Sequence, residues 1–463
     1  MSYSSNGMSK MFGHLDENLL NDRNAYYFNL LSDRFHPLHS VWEANLKKRF
    51  GLTFKPIFVL PAVHNELFSD ENYIVLNESL EAVSIDSSPV TPAFAVLAAD
   101  DFNRQFSHHQ SVRELIAKLL TKQDQVFVLS LTSVGLAFDS PRVQALGPDP
   151  EVAARFDDKA EHLNVFRHLG LPTNQTWLYA SYEELQSKHT EYPFFLSAAF
   201  SSAGSDSCRI ETSHDLAAYF ETLRPANKSS HFIAARFLTD IVNAPNASAI
   251  VLSENNTLVV CVTDQILRGH RYLGNIYPSS VGELHRAMIL EMTTAVGNYL
   301  STQGFRGLFG LDFLITSAGN CYPLDLNPRR QGSYHCNVMM SKEIDLIDLE
   351  QRAIFGETLP VIKHEQFEVP YCWAHNKIMP YRANPTLGEG FEIGAPLKPF
   401  DTVGSHYASA WYPKGSILKG GVAAHYLRTD TSRSRLLETL EREVDELITQ
   451  LYTYPESSSV ARD

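Results

Sequence analysis

Asp312, Asp325, Asn327 and Arg329 fall in one stretch, GLFGLDFLITSAGNCYPLDLNPRRQGS, residues 307–333. In FGLDFLI, Phe309, Leu311, Phe313 and Ile315 alternate with Gly310, Asp312 and Leu314; in CYPLDLN, Leu324 and Leu326 alternate with Asp325 and Asn327. A period of two predicts two strands. A two-residue turn centred between Ala318 and Gly319 would set Asp312 directly opposite Asp325. Opposed residues have Cβ atoms roughly 5 Å apart, and like charges there are destabilising, so the pair requires a cation. Two carboxylates and the amide oxygen of Asn327 form an all-oxygen set suited to a hard ion such as Mg²⁺, with Mn²⁺ as its substitute. The competing reading is an edge hairpin with solvated acids, and Asn327 and Arg329 argue against it. Arg330 reads as a surface ion-pair residue.

The elements that must position this stretch are legible by pattern. Residues 1–150 alternate helical and strand signals: LLNDRNAYYFNLLSDRF as a helix, PIFVLPAV (57–64) and AFAVLAA (93–99) as buried strands, SVRELIAKLLTK as a helix, and VFVLSLTS (126–133) as a strand. That alternation predicts a small α/β domain with a parallel sheet, Tyr26, Tyr27 and Phe28 being core. Further on, a helix is expected over 157–169, capped by Asp157 or Asp158 and stopped by Gly170 and Pro172. Strands follow at 176–179 and 194–198, then a small-residue loop at 201–205, a return strand, and a helix at 214–224. Segments 231–238, 247–253 and 257–267 read as strands of a largely antiparallel sheet, and 282–303 as a helix leading into the hairpin. A helix is expected at 344–355 and short strands and turns over 370–426. Leu436, Leu440, Val444, Leu447 and Leu451 mark a final amphipathic helix.

The composition excludes several classes. At 463 residues the chain is long for one core. A formal charge of −14 argues against general binding to nucleic acid or anionic membranes. Five cysteines with no zinc spacing fit a reducing compartment. No apolar run approaches the length of a membrane span, and the first residues carry no secretion signal, so a cytoplasmic protein is expected. His270, His335 and His375 read as structural; Lys377 and Arg382 could reach a substrate but sit in no motif.

Taken in order, the Asp158-Lys159 helix start, Leu169-Gly170-Leu171-Pro172, the small-residue loop, GLDF (310–313) and LDLNPRRQG (324–332) resemble the ATP-grasp superfamily of carboxylate–amine ligases, over residues 150–360. The resemblance implies an α/β N-terminal pre-ATP-grasp domain (1–150). It also implies an ATP-grasp module with antiparallel sheets in a small lobe (151–235) and a large lobe (236–360), and a small C-terminal domain (361–463). It further implies ATP as cosubstrate, with Lys159 on its phosphates and Ser201, Ser202, Gly204 and Ser205 closing over them. Arg236, Phe237 and Leu238 would meet adenine, and Gln265 and Arg268 would face the nucleotide. Asp312, Asp325 and Asn327 would hold one or two Mg²⁺ ions, and Arg329 would stabilise the transferred group. The expected activity is formation of an amide bond through an acyl phosphate from a small carboxylate and an amine, with homodimerisation open. The chain departs from the family at Ser197, where a second phosphate-binding Lys is usual. Either Arg209, Arg268 or Arg271 replaces it, or turnover is impaired and the protein only binds nucleotide. A non-amine acceptor, as in carboxylases, is the other alternative.

Overall fold

The computed structural model describes residues 11–31, 35, 38–62, 71–76, 93–199, 207–223, 228, 230–269, 271–340, 344–359, 362, 364–394, 404–410, 412 and 414–454. The chain divides into two units, one of residues 1–150, 333–351 and 369–463, the other of 151–332 and 352–368.

The first unit contains a mostly parallel sheet in the order Met11–His14, Tyr73–Leu76, Phe54–Leu60, Ala25–Asn29, Val126–Leu129, Val143–Ala145; only Met11–His14 pairs antiparallel. Its strands are apolar on both faces, as expected where both faces are covered. The AYYFN segment is one of them, with Tyr26, Tyr27 and Phe28 at most 1% exposed. The helix expected across LLNDRNAYYFNLLSDRF is therefore replaced by turns and the strand Ala25–Asn29. Its apolar residues are contiguous and aromatic, which suits a central strand better than one stripe of a helix. AFAVLAA likewise keeps only Ala93–Ala95 as strand, paired with Ile417–Gly420 outside the parallel sheet. Segment 333–351 is tied to the N-terminal helix His39–Phe50: Asn45 Nδ2 donates to Asp345 Oδ2 at 2.8 Å, and Arg49 pairs with Asp348 at 3.4 Å. Residues 369–454 contribute an antiparallel run, Cys372–Ile378, Ala424–Asp430, His406–Ala410 and Phe391–Gly394. The closing helix Arg433–Leu451 buries the five residues its periodicity marked.

The second unit holds two antiparallel sheets. The smaller, ordered Ser207–Ile210, Phe194–Ala198, Phe232–Arg236, Thr176–Tyr179, is backed by helices Tyr182–Lys188 and Ser213–Thr222 around Leu185, Phe194, Leu196, Leu216 and Phe232. The larger runs Arg271–Tyr277, Asn256–Arg268, Pro245–Ser253, Gly307–Thr316, Cys321–Asn327. Helix Glu283–Thr302 packs on its inner face through Ile289, Val296 and Leu300, against Phe309, Leu311, Phe313 and Ile315. The hairpin's apolar alternation points inward as the sequence requires, and the polar alternates are left on the other face.

Candidate active site

The hairpin Gly307–Thr316 and Cys321–Asn327 sets Asp312 opposite Asp325. The route differs from a two-residue turn. Ile315 pairs with Cys321 and Phe313 with Pro323, so the strands leave the turn one residue out of the expected register. With that register kept, Asp325 would oppose Leu311 and point into the core. A β-bulge between Pro323 and Asp325 absorbs Leu324, which is 52% exposed, and returns Asp325 to the outer face beside Asp312.

On the far side of Asp312 the strand Pro245–Ser253 places Asn246 in register with it, so Asn246, Asp312 and Asp325 form a row across three strands. Ser248, Gly310 and Asn327 form the next row on the same face. Asn246 Nδ2 donates to Asp312 Oδ1, while Asn246 Oδ1 is buried without a hydrogen-bond partner. Asn327 Nδ2 donates to Asp312 Oδ2 at 3.4 Å and its Oδ1 accepts from Arg329 Nη2 at 2.8 Å. A Cβ on Gly310 would meet Gln331, whose side chain lies across that position and accepts from Ser248 Oγ. Arg330, expected at the surface, is only 3% exposed, because the chain turns inward after the bond from Arg329 N to Asn327 O.

The cation nearest the acids is supplied by the helix Lys159–His168. Asp158 caps it, accepting from Ala160 N at 2.8 Å, and this fixes Lys159 in the first turn. Lys159 Nζ pairs with Asp325 Oδ1. The two carboxyls titrate apart. Burial and the charge of Asp325 raise Asp312 to about 6, against the bond from Asn246. Burial also pushes Asp325 upward, but Lys159 outweighs it and holds this carboxyl well below the usual range. One carboxylate is thus stabilised as an anion and its neighbour is poised near neutrality, the pattern of two acids sharing a site. The donor set fits a hard cation, with two carboxylates, amide oxygens and no sulfur; among the described residues no cluster of three His, Cys, Asp or Glu offers a softer site.

The remaining expected residues are placed as follows. Ser201, Ser202, Gly204 and Ser205 lie outside the described residues, as does His270. Ser197 faces Ser207 in register, their hydroxyls 2.8 Å apart. Arg236 ends its strand, exposed, its N–H donating to Gln175 O at 2.9 Å. Phe237 lies under the Arg209 guanidinium at 4.3 Å, and Arg209 also pairs with Glu211 at 2.7 Å; Leu238 is half-buried beside it. Gln265 stands two residues beyond Thr263, which pairs with Asn246, and so shares the face of the acidic row; Arg268 is exposed opposite Arg271. His335 and His375 are buried in the first unit with rings 5.0 Å apart. Lys377 is half-buried in Cys372–Ile378, and Arg382 lies over Tyr454. Sequence reasoning missed His162, Asn246, Ser248 and Gln331. The signals were there in Lys-x-x-His on one helix face and Asn-x-Ser on one strand face, but neither spacing identifies a partner until the register is known.

Residues 158–333 match the family of ATP-grasp domains. The chain therefore carries an ATP-grasp domain, and the acidic hairpin lies within it. It is 30% identical over 103 residues to the L-propargylglycine–L-glutamate ligase of Streptantibioticus cattleyicolor, a match spanning 22% of this chain and 21% of that protein. Among solved structures, the fold is similar to the L-amino acid ligase of Bacillus licheniformis, with TM-score 0.60 and 13% identity over 94% of this chain and 100% of that one. It is also similar to the biotin carboxylase domain of the Hydrogenobacter thermophilus 2-oxoglutarate carboxylase, solved with MgADP and bicarbonate, with TM-score 0.62 and 14% identity over 92% and 90%. At such identities these two likenesses establish the fold alone.

Proposed function

We propose that this protein is an ATP- and Mg²⁺-dependent ligase that joins a small carboxylate, such as an amino acid, to an amine through an acyl phosphate. The observation that carries the reading is the row of Asn246, Asp312 and Asp325 with Lys159 and Arg329 converging on it, inside the ATP-grasp domain. A carboxylate becomes electrophilic when its oxygen attacks the γ-phosphorus of ATP and ADP leaves. The amine then attacks the acyl carbon, phosphate departs with the C–O bond, and the amine loses a proton. Protein groups contribute to phosphoryl transfer by positioning and by neutralising charge on oxygen. In this reading Lys159 moves from Asp325 to the phosphates, and the planar guanidinium of Arg329 orients the reacting carboxylate. Asp312, Asp325 and Asn327 would hold the Mg²⁺, which when bound neutralises charge on the phosphate oxygens. Arg236, Phe237 and Leu238 would line the adenine site, Gln265 and Arg268 would face the nucleotide, and the 201–205 segment would cover the phosphates. The division into small and large lobes at residue 235 belongs to this reading, as does a homodimer.

The Ser197–Ser207 pair favours one second reading. A serine hydroxyl cannot replace the point charge of a lysine in a phosphate cradle, so a nucleotide-binding protein with weak turnover is the competitor. Carboxylates and amines tested in combination, reading ADP and product mass, separate the two. Ligation predicts ADP release that needs both substrates and falls about a hundredfold or more in Asp325→Ala and Asn327→Ala with the fold intact. ATP binding by calorimetry with no turnover across the panel would favour the second reading, and full activity in both variants would sink the metal assignment.

A further inference from the structure

His162 stands one helical turn after Lys159 and is 3% exposed. Its Nε2 lies 2.8 Å from Phe156 O; a carbonyl only accepts, so Nε2 carries the proton in that bond. The other nitrogen faces the acidic strand. Leu326 N donates to Nδ1 across 3.3 Å, and Asp325 Oδ1 lies 3.1 Å from it. Lys159 and His162 thus approach the same carboxylate oxygen from one helix face, but only Lys159 donates to it; Nδ1, unprotonated in this tautomer, instead holds the strand through the Leu326 N–H.

Resting on the reading of this site as a Mg-ATP seat, we propose that His162 is a positioning residue. It clamps the strand to the helix at the Leu326 N–H, next to Asp325, so that the carboxylate keeps its aim when Lys159 leaves it for a phosphate. A core histidine would need only to fill space and satisfy its nitrogens. Here one nitrogen anchors the ring on the turn before the helix, and the other accepts from the backbone N–H of Leu326, the residue after the acid that takes the cation. The helix carries the same ring and the lysine together, so any shift of the helix moves the clamp and the phosphate contact as a unit. Groups that hold a metal-binding carboxylate from behind typically matter 10- to 100-fold in metal affinity.

The two nitrogens can be tested apart on the full-length protein. In His162→Gln the longer amide reaches the Nε2 position and keeps the bond to Phe156 O, whereas in His162→Asn the shorter amide reaches the Nδ1 position and keeps the bond to Leu326 N. Mn²⁺ affinity without nucleotide, from the free-ion electron paramagnetic resonance signal, is read beside the thermal midpoint of the cation-free protein. The expected result is Mn²⁺ binding weakened about tenfold in His162→Gln at a near-normal midpoint, and affinity kept within a few-fold in His162→Asn despite a lower midpoint. Equal weakening in both, in neither, or in His162→Asn alone would overturn the proposal. Asp325→Asn separates the two levels of the argument. Normal Mn²⁺ affinity there removes the seat and His162's role with it, while lost affinity beside an unaffected His162→Gln removes only the role of His162.

Discussion

Asp312 and Asp325 have the same side-chain chemistry and sit side by side, yet they titrate in opposite directions because Lys159 reaches Asp325. A carboxyl raised to about 6 stabilises the fold below its unfolded value near 3.8, and that contribution is lost as pH rises through about 6. Asp312→Asn should therefore raise the thermal midpoint of the cation-free protein at pH 7.5, and the gain should vanish below about pH 4; a pH series of calorimetric scans checks both limbs. Cation binding requires the ionised form, so Mn²⁺ affinity in the wild-type protein should fall about tenfold per unit of pH once below about 6. Gly310 is a second residue-scale test, because a Cβ there displaces Gln331 from its bond with Ser248. Gly310→Ala should cost about 1 kcal/mol by denaturant titration, the worth of one hydrogen bond, with Asp312 undisturbed.

At the scale of elements, the helix Glu283–Thr302 closes on the sheet through Gly297, where an added Cβ would lie 2.3 Å from the Thr257 side chain. Two effects compete in Gly297→Ala: helix propensity gains up to about 1 kcal/mol, while overpacking a close-packed core costs about 1–3 kcal/mol. The β-branched Thr257 has little freedom to turn away, so net destabilisation of about 1–2 kcal/mol is expected in urea unfolding. The elements were largely legible beforehand. Strands at 176–179 and 194–198 and the five-residue stripe of the last helix carry clear periods, and they form where expected. AYYFN and AFAVLAA were not, since short apolar runs have no period to read and their state is set by the sheet that receives them. Within the site, the metal-type acids were visible from residue type and alternation. Asn246 and His162 were not, because they are 66 and 164 positions from their partners in sequence and meet them only through strand register and helix packing.

At the scale of the molecule, two units with separate cores share one chain that passes between them more than once. The first unit carries its own electrostatic fastening. Burial alone would raise Asp22, but bonds from Lys122, Tyr26 and Asn24 lower it to about 2. A depressed carboxyl contributes stability above its unfolded value near 3.8 that is lost as pH falls through about 2. Asp22→Asn should cost about 1 kcal/mol at neutral pH once solvent screening is allowed for, and should flatten the acid limb of the stability curve between about pH 4 and 2. No helix among the described residues is long and apolar enough to cross a membrane, and none of the five cysteines, all among the described residues, is in a disulfide.

The bulge at Leu324 makes this hairpin tolerant of a change in length at one point. Between the turn and Asp325 the strand holds one residue too many for strict alternation, and the surplus is expelled to solvent at a site with no core contact to lose. Deleting Leu324 would let Pro323 and Asp325 follow each other in an even ladder, with Asp312 still facing Asp325. Deleting Cys321 instead would remove a buried core residue. The first shortened chain should retain Mn²⁺ binding within about tenfold and the second should lose it, so position 324 is where the length of this hairpin can vary independently of its chemistry.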